Sequence, residues 1–210
     1  MTIQSWLMYL TLVLVATATP GPAVLYIVTN ASLHGWRKAV FAALGNIAGL
    51  FTLGIIAVTG LGMILKTSEL IFDLIKYAGA VYLVYLGLRM ILQEGLDFAK
   101  LNRQAAVPDA SGGKVILQAL GVALSNPKAI IFLTALFPQF ISTDRALFPQ
   151  FALLMATLMS FSFFFLMSYA LLAHSAKEWL NRQSRVKAVN RASGSIFIGF
   201  GLLLATSSNK

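Results

Sequence analysis

The chain has 210 residues, of which 58% are hydrophobic and 11% charged, and it contains no cysteine. Soluble domains carry about 25% charged residues, so this chain has too little polar surface to cover a soluble globule. The predicted fold class is therefore an all-α integral membrane protein. The lack of cysteine excludes a disulfide framework, a thiolate metal site and a thiol nucleophile. The formal net charge of +9 raises nucleic acid as a partner class, which the placement of the charges argues against below.

The apolar residues fall into six segments, which predict six transmembrane helices. About 20 apolar residues suffice to cross a bilayer, and the first five segments reach that length. The last segment is shorter, so five spans stay open as an alternative. The segments are Ile3–Asn30, Ala39–Leu65, Leu70–Leu92, Val115–Phe140, Leu147–Ala173 and Ala192–Thr206.

The start of the chain also has features of a signal peptide. Leu7–Val15 forms an apolar run, and Ala16-Thr17-Ala18 has the spacing of small residues found at cleavage sites. No lysine or arginine precedes the run, whereas signal peptides begin with positive charge. We therefore interpret this stretch as part of the first helix.

Basic residues concentrate in the loops that follow the first, third and fifth segments. By the positive-inside rule these loops are cytoplasmic, which places both termini outside the cytoplasm. A distribution over three loops is an orientation signal, so nucleic acid is not an expected partner and the lipid bilayer is. The eleven residues are Arg37, Lys38, Arg89, Lys100, Arg103, Lys114, Lys177, Arg182, Arg185, Lys187 and Arg191.

The chain reads as a single membrane domain, 1–210, made of two related halves. Repeat 1 covers 1–93, a polar linker covers 94–114, and repeat 2 covers 115–210. Residues 19–26 align with 125–132, and residues 76–85 align with 191–200. Three spans per half is an odd number, so the halves have opposite orientations in the membrane. Inverted repeats with broken helices in corresponding places are typical of transporters that bind substrate near the midplane.

The first and fourth segments each contain a proline break. Thr19 followed by Pro20, and Asn126 followed by Pro127, both resemble a helix N-cap with proline at the first helical position. Each restart would aim free N–H groups and a positive dipole end into the membrane, which suits a carboxylate. The alternative is a pair of proline kinks in packed helices. The predicted substrate-binding residues at the breaks are Thr19, Pro20, Gly21, Pro22, Asn126, Pro127 and Lys128.

Lys128 is the most informative charged residue. It lies near the middle of its segment, where a lysine costs about 2.5–3.5 kcal/mol to insert, so it should face the bundle interior or a cavity. The alternative role is a tie to a backbone carbonyl or to a carboxylate of another helix.

Few other polar residues fall within the segments. Asp73 and Lys76 are three apart and can meet on one helix face, as a proton-coupling group or as a simple interfacial ion pair. Asn46 could bond across helices or line the substrate path, and we include it among the substrate-binding residues. Gly45-x-x-x-Gly49 and Ser195-x-x-x-Gly199 predict close helix packing.

The motifs together resemble the LysE/RhtB family of amino-acid exporters. The first signature is Thr19-Pro-Gly-Pro with Gly35-x-Arg-Lys-Ala and Ala43-Leu-Gly-x-x-x-Gly. The third-span motif begins at Lys76, and the fourth runs from Asn126 to Phe140 and includes Phe-Pro-Gln. Gly194-Ser-Ile-Phe fits the last span. The final segment and the Phe-Pro-Gln run are most similar to the homoserine, homoserine-lactone and threonine efflux branch.

This resemblance implies export of an amino acid or derivative across the bacterial inner membrane, driven by proton antiport. It implies importance for the two breaks and for Gly45, and Ala23 stands where many members have asparagine. No cofactor or metal is expected, and self-association into a homo-oligomer stays open. Two other functional classes are the alternatives. A passive channel would need a ring of like polar groups, and a membrane-embedded enzyme would need an acid–base pair or metal ligands at usable spacing.

Overall fold

The computed structural model describes residues 1–64, 69–92, 111–142, 145–173 and 182–206. Every regular element within those ranges is helical, as the composition predicts. The α-helices are α1 (Ile3–Ala18), α2 (Pro22–His34), α3 (Trp36–Ile64), α4 (Glu69–Leu92), α5 (Gly112–Leu124), α6 (Pro127–Ile131), α7 (Leu147–Leu171) and α8 (Gln183–Thr206). A π-helix (Phe132–Leu136) and a 3₁₀-helix (Phe137–Phe140) follow α6.

The first and fourth predicted segments are each broken into two helices. The axes of α1 and α2 differ by 47°, and those of Gly112–Leu124 and Pro127–Thr134 by 63°. The fourth segment departs from α-geometry a second time, in the π- and 3₁₀-helices that the sequence prediction did not include. Pro138 lies in this stretch and has no N–H to donate, so a regular α-helical ladder cannot continue through it.

Several helices have the length and composition of membrane spans. Within the described residues, Trp36–Thr59 of α3 and all of α7 are long and apolar enough to cross a bilayer, and each bent pair would add one more span. Helices α4 and α8 have 24 residues each, which corresponds to about 36 Å. The last helix is longer than the apolar segment predicted for it. Arg185, Lys187 and Arg191 interrupt its apolar pattern, but the helix extends back through them to Gln183.

Large apolar side chains cover much of the outer surface. Val81 of α4 is 70% exposed, and Phe148 and Phe164 of α7 are 79% and 62% exposed. Water-soluble monomers rarely expose contiguous apolar surface on this scale. The outer faces of these helices are therefore suited to contact with lipid.

Glycine residues allow two helix pairs to approach closely. A Cβ on Gly45 would overlap the carbonyl oxygen of Ile116, and one on Gly49 would lie 2.5 Å from the Cβ of Ala123. The predicted packing face of α3 is thus confirmed, and its partner is α5.

The predicted small-residue face of α8 is displaced by one position. Ser195 is exposed, and a Cβ on Gly199 would meet no heavy atom within 4 Å. The face that packs on α4 instead contains Gly194, whose added Cβ would lie 2.5 Å from the carbonyl oxygen of Gly87, and Gly201. The prediction of Ser195 and Gly199 was wrong because an i, i+4 pattern fits neighbouring faces of a helix equally well before its partner is known.

Two apolar cores form the interior. One contains Tyr9, Leu12, Phe137 and Leu154, contributed by α1, the 3₁₀-helix and α7. The other contains residues of α2, α3, α5 and the second half of α7, including Val28, Ala43, Ala119, Leu166 and Ala170. Both helix breaks lie between these cores.

Candidate functional site

The first break consists of three residues between α1 and α2, of which Thr19 and Gly21 have extended backbone. The backbone N–H of Thr19 donates to the carbonyl of Val15 at 3.0 Å, so Thr19 completes α1. Gly21 is the N-cap of α2, and Pro22 is its first residue. The prediction of Thr19 as N-cap with Pro20 at the first position was therefore wrong. Both Thr19 and Gly21 precede a proline, which pushes a residue out of helical geometry, so the helix can restart only at the second proline.

The second break has the predicted form. Asn126 is the N-cap of α6, and Pro127 is the first helical residue. The side-chain oxygen of Asn126 accepts a hydrogen bond from the backbone N–H of Lys128 at 3.1 Å. The local motif and its capping geometry are confirmed.

Lys128 joins the two breaks. Its Nζ donates to the carbonyl of Ala16 at 2.8 Å and to that of Thr19 at 2.9 Å. These carbonyls belong to the end of α1, where the helix dipole is negative and stabilises a cation. A Cβ on Gly21 would lie 3.4 Å from the same Nζ, so the ammonium also adjoins the start of α2. An ammonium has three N–H donors, and these two bonds use two of them.

A cavity of about 60 Å³ adjoins Lys128 and both breaks. By the same measure one water molecule needs about 10–15 Å³, so several waters or a small solute fit within it. Most of the wall is apolar and comes from both cores. These members are Ala16, Ala23, Val24, Leu50, Ala129, Phe132, Leu133, Leu158 and Leu166.

The polar part of the wall includes a pair that links α3 to α7. Asn46 donates from Nδ2 to Oγ of Ser162 at 3.3 Å, and both residues are buried. The sequence prediction included Asn46 and missed Ser162. A hydroxyl within an otherwise apolar segment is a weak signal, because serines in membrane helices also bond to their own backbone. Thr17, Gly21, Asn126 and Lys128 complete the described wall.

Other side chains secure the end of α1 outside the cavity. The hydroxyl of Tyr169 donates to the carbonyl of Ala18 at 2.8 Å. The Oγ1 of Thr19 lies 2.7 Å from Oγ of Ser193 on α8, and either can be the donor. The broken helix end is thus held by side chains from α6, α7 and α8.

The structure brings together some of the predicted site residues and not others. Gly21, Asn46, Asn126 and Lys128 line the same cavity. Thr19 is buried beside Ser193, and Pro20, Pro22 and Pro127 shape the breaks without being part of the described wall. Asp73 and Lys76 belong to α4, but the structure does not describe their side chains. Their pairing therefore stays a prediction.

Comparison with known proteins identifies the family of this chain. The family model described as LysE type translocator matches residues 14–208, which is nearly the whole chain. The chain belongs to the LysE type translocator family. It is accordingly a multi-pass membrane protein of a transporter family.

Individual relatives are similar over nearly their full length. The chain is 33% identical over 207 residues to a homoserine/homoserine lactone efflux protein of Salmonella typhimurium, covering 99% of this chain and 98% of the relative. It is 31% identical over 210 residues to a leucine efflux protein of Klebsiella pneumoniae, covering 97% and 96%. An uncharacterized membrane protein of Vibrio cholerae is 34% identical, with 99% of both chains covered. No solved structure matches the chain.

Proposed function

We propose that this protein is a secondary transporter that exports an amino acid or an amino-acid derivative from the cytoplasm. Support comes from its membership of the LysE type translocator family and from the full-length relatives that are named as efflux proteins for homoserine, homoserine lactone and leucine. These relatives are transporters by name, which favours a non-enzymatic function.

The observation that carries the proposal is the position of the Lys128 ammonium, at the edge of the cavity where both breaks meet. Its third N–H donor and its charge suit a carboxylate. The first turn of α2 adds free backbone N–H groups, including those of Ala23 and Val24, and the positive end of a helix dipole. No side chain caps this turn. A substrate carboxylate in the cavity beside Lys128 and the first turn of α2 would satisfy both sets of donors.

Proton antiport is the proposed energy source, because export against a gradient needs a coupled ion. Asp73, with Lys76 three residues away, is the proposed proton-coupling group. Access to the cavity would alternate as one half of the molecule rocks against the other around the two breaks. The apolar cores on either side of the cavity would then open in turn.

Helix directions support a six-span inverted repeat. If six spans alternate in direction, α1 and α7 must be parallel to each other, and α4 and α8 must be antiparallel. The contacts between these helices agree with both requirements. In the contacts between α1 and α7, a later residue of one helix meets a later residue of the other, whereas in those between α4 and α8 a later residue of one meets an earlier residue of the other. The contacts are Trp6 with Thr157, Ala18 with Tyr169, Gly87 with Gly194, and Ala80 with Gly201.

We propose the bacterial inner membrane as the location, with both termini outside the cytoplasm as the loop charges indicate. A reporter that is active only outside the cytoplasm, fused in turn to each end, tests this orientation. An inactive reporter at either end would exclude it.

Efflux from proteoliposomes tests the proposed function. Vesicles that contain the purified protein are loaded with a panel of labelled amino acids that includes homoserine and leucine, with and without a pH gradient. We expect a pH gradient to drive export of at least one of them against its own gradient. Flux that only follows the solute gradient would indicate a passive channel, and no flux of any amino acid would refute the proposal.

Replacement of the cavity lysine tests the site. Because charge-assisted hydrogen bonds contribute about 1.5–3 kcal/mol, Lys128→Ala should reduce export at least about tenfold. The control is Lys114→Ala, which removes an exposed lysine at the start of α5. Export is compared per molecule of each variant in the membrane, because Lys128 also satisfies two carbonyls at the end of α1. Normal export by Lys128→Ala would remove this lysine from the site.

A further inference from the structure

A zwitterionic substrate also needs acceptors for its ammonium group. Among the described residues that line the cavity there is no carboxylate. Three carbonyls at the first break already accept one hydrogen bond each, those of Ala16 and Thr19 from Lys128 and that of Ala18 from Tyr169. An ammonium placed beside these carbonyls would also be repelled by the Lys128 charge.

The side-chain oxygens of two other polar residues in the wall are already oriented by a hydrogen bond to the backbone. Asn126 Oδ1 accepts from the backbone N–H of Lys128. Thr17 Oγ1 donates to the carbonyl of Val13 at 2.6 Å, which directs the hydroxyl back along α1. The remaining polar side chains of the described wall are Asn46 and Ser162.

The Asn46–Ser162 pair retains acceptor capacity. The bond between them uses the Nδ2 donor of Asn46 and one lone pair of Ser162 Oγ. The amide oxygen of Asn46 and the second lone pair of the serine hydroxyl are not used by that bond. Both residues are more than nine-tenths buried, at 5% and 6% exposure, among leucine and phenylalanine side chains. Acceptors in such apolar surroundings interact more strongly with a cation than exposed acceptors do, because the local dielectric constant is low.

We propose that Asn46 and Ser162 bind the substrate's α-ammonium and thereby select amino acids over carboxylic acids that lack the amine. This proposal rests on the proposed export function. The carboxylate end lies at Lys128 and the start of α2, and the ammonium end lies at the bond between α3 and α7. Neutral acceptors would then bind the ammonium, and the charge of Lys128, the one charged side chain in the described wall, would bind the carboxylate.

The competing explanation is that the pair only holds two helices together, as polar residues do in many membrane proteins. The chain offers a matched control for that role. Thr157 lies on the same helix, is buried, and accepts a hydrogen bond from Trp6 Nε1 of α1 at the same distance of 3.3 Å. It is not part of the described cavity wall. Thr157→Ala therefore removes a comparable interhelix bond without changing the proposed ammonium site.

The test measures selectivity rather than total activity. Export of labelled leucine is measured in proteoliposomes in the presence of unlabelled leucine or of 4-methylpentanoate, its analogue without the amine. Export of labelled homoserine is measured in the same way with unlabelled homoserine or 4-hydroxybutanoate. The preference is the ratio of the two inhibitory concentrations. The wild type should prefer the amino acid. Ser162→Ala should lower this preference about tenfold, since a hydrogen bond to a charged group is lost. Asn46→Ala should lower it by a similar factor, and Thr157→Ala should leave it unchanged.

The outcomes separate this proposal from the proposed function. If the wild type exports neither these nor any other amino acid, the export function itself fails. If the wild type exports an amino acid and Ser162→Ala and Asn46→Ala keep the wild-type preference, the ammonium site is refuted while the export function stands. An equal loss of preference in Thr157→Ala would also refute the ammonium site, because Asn46 and Ser162 would then act only through helix packing.

Discussion

Lys128 combines a structural and a proposed binding role in one side chain. A lysine near the middle of a span is costly unless its donors are satisfied, and the two carbonyls at the end of α1 satisfy two of them. Those carbonyls have no helical partner because Pro20 and Pro22 interrupt the chain. The break and the lysine therefore stabilise each other. This explains why a lysine is tolerated near the middle of a membrane span.

Gly21 determines how closely the backbone approaches that ammonium. Its φ of −157° is extended, so alanine fits the backbone, but its Cβ would contact Lys128 at 3.4 Å and narrow the proposed carboxylate position. Gly21→Ala should raise the KM for export severalfold with little change in abundance. Gly121→Ala is the control, since a Cβ there meets nothing within 4 Å. Unchanged KM in Gly21→Ala would place the carboxylate elsewhere.

The two breaks differ in how well sequence alone predicts them. At Asn126 the cap, the proline and the bonded N–H all lie within three residues, so local rules suffice. At Thr19 two prolines could each take the first helical position, and the capping preference of threonine indicates the first. The structure uses the second, because Gly21 precedes Pro22 and stays extended, while Thr19 is bound to Val15 as the last turn of α1. The carbonyls that Lys128 contacts could therefore not be predicted from the sequence, because they depend on the residue at which α1 ends.

Helix faces show the same limit. The Gly45 and Gly49 face was predicted correctly, since the two glycines and their spacing define one stripe of α3. On α8 several small residues lie close together, at Ser193, Gly194, Ser195, Gly199 and Gly201, and spacing alone cannot select among them. The partner helix decides, and α4 packs on Gly194 and Gly201.

A pair of substitutions on one helix tests this assignment. Gly194→Ala places a Cβ 2.5 Å from a backbone oxygen, whereas Gly199→Ala meets open space. Overpacking costs about 1–3 kcal/mol, so the Tm of Gly194→Ala in detergent should fall by about 2–10 °C. Gly199→Ala should match or exceed the wild type, because alanine favours the helix. A larger loss in Gly199→Ala would restore the original interpretation.

In the whole molecule, the cavity lies where the two apolar cores meet the two breaks. Its cationic side was predictable from the alignment of the breaks and from the depth of Lys128. Its other wall was not, because Ser162, Leu158 and Leu166 become neighbours of Asn46 only when α7 packs against α3. A single hydroxyl in an apolar segment does not indicate which way it faces.

Protection of a cavity residue by substrate tests most directly whether this cavity binds the exported amino acid. Since the chain has no cysteine, Ala23→Cys introduces a single thiol into the wall. Gly121→Cys, on an exposed face of α5, is the control. The exported amino acid should slow the reaction of a small thiol reagent with Cys at position 23 severalfold and leave position 121 unaffected. Equal reaction rates with and without the amino acid at position 23, in a variant that still exports it, would show that the substrate binds outside this cavity.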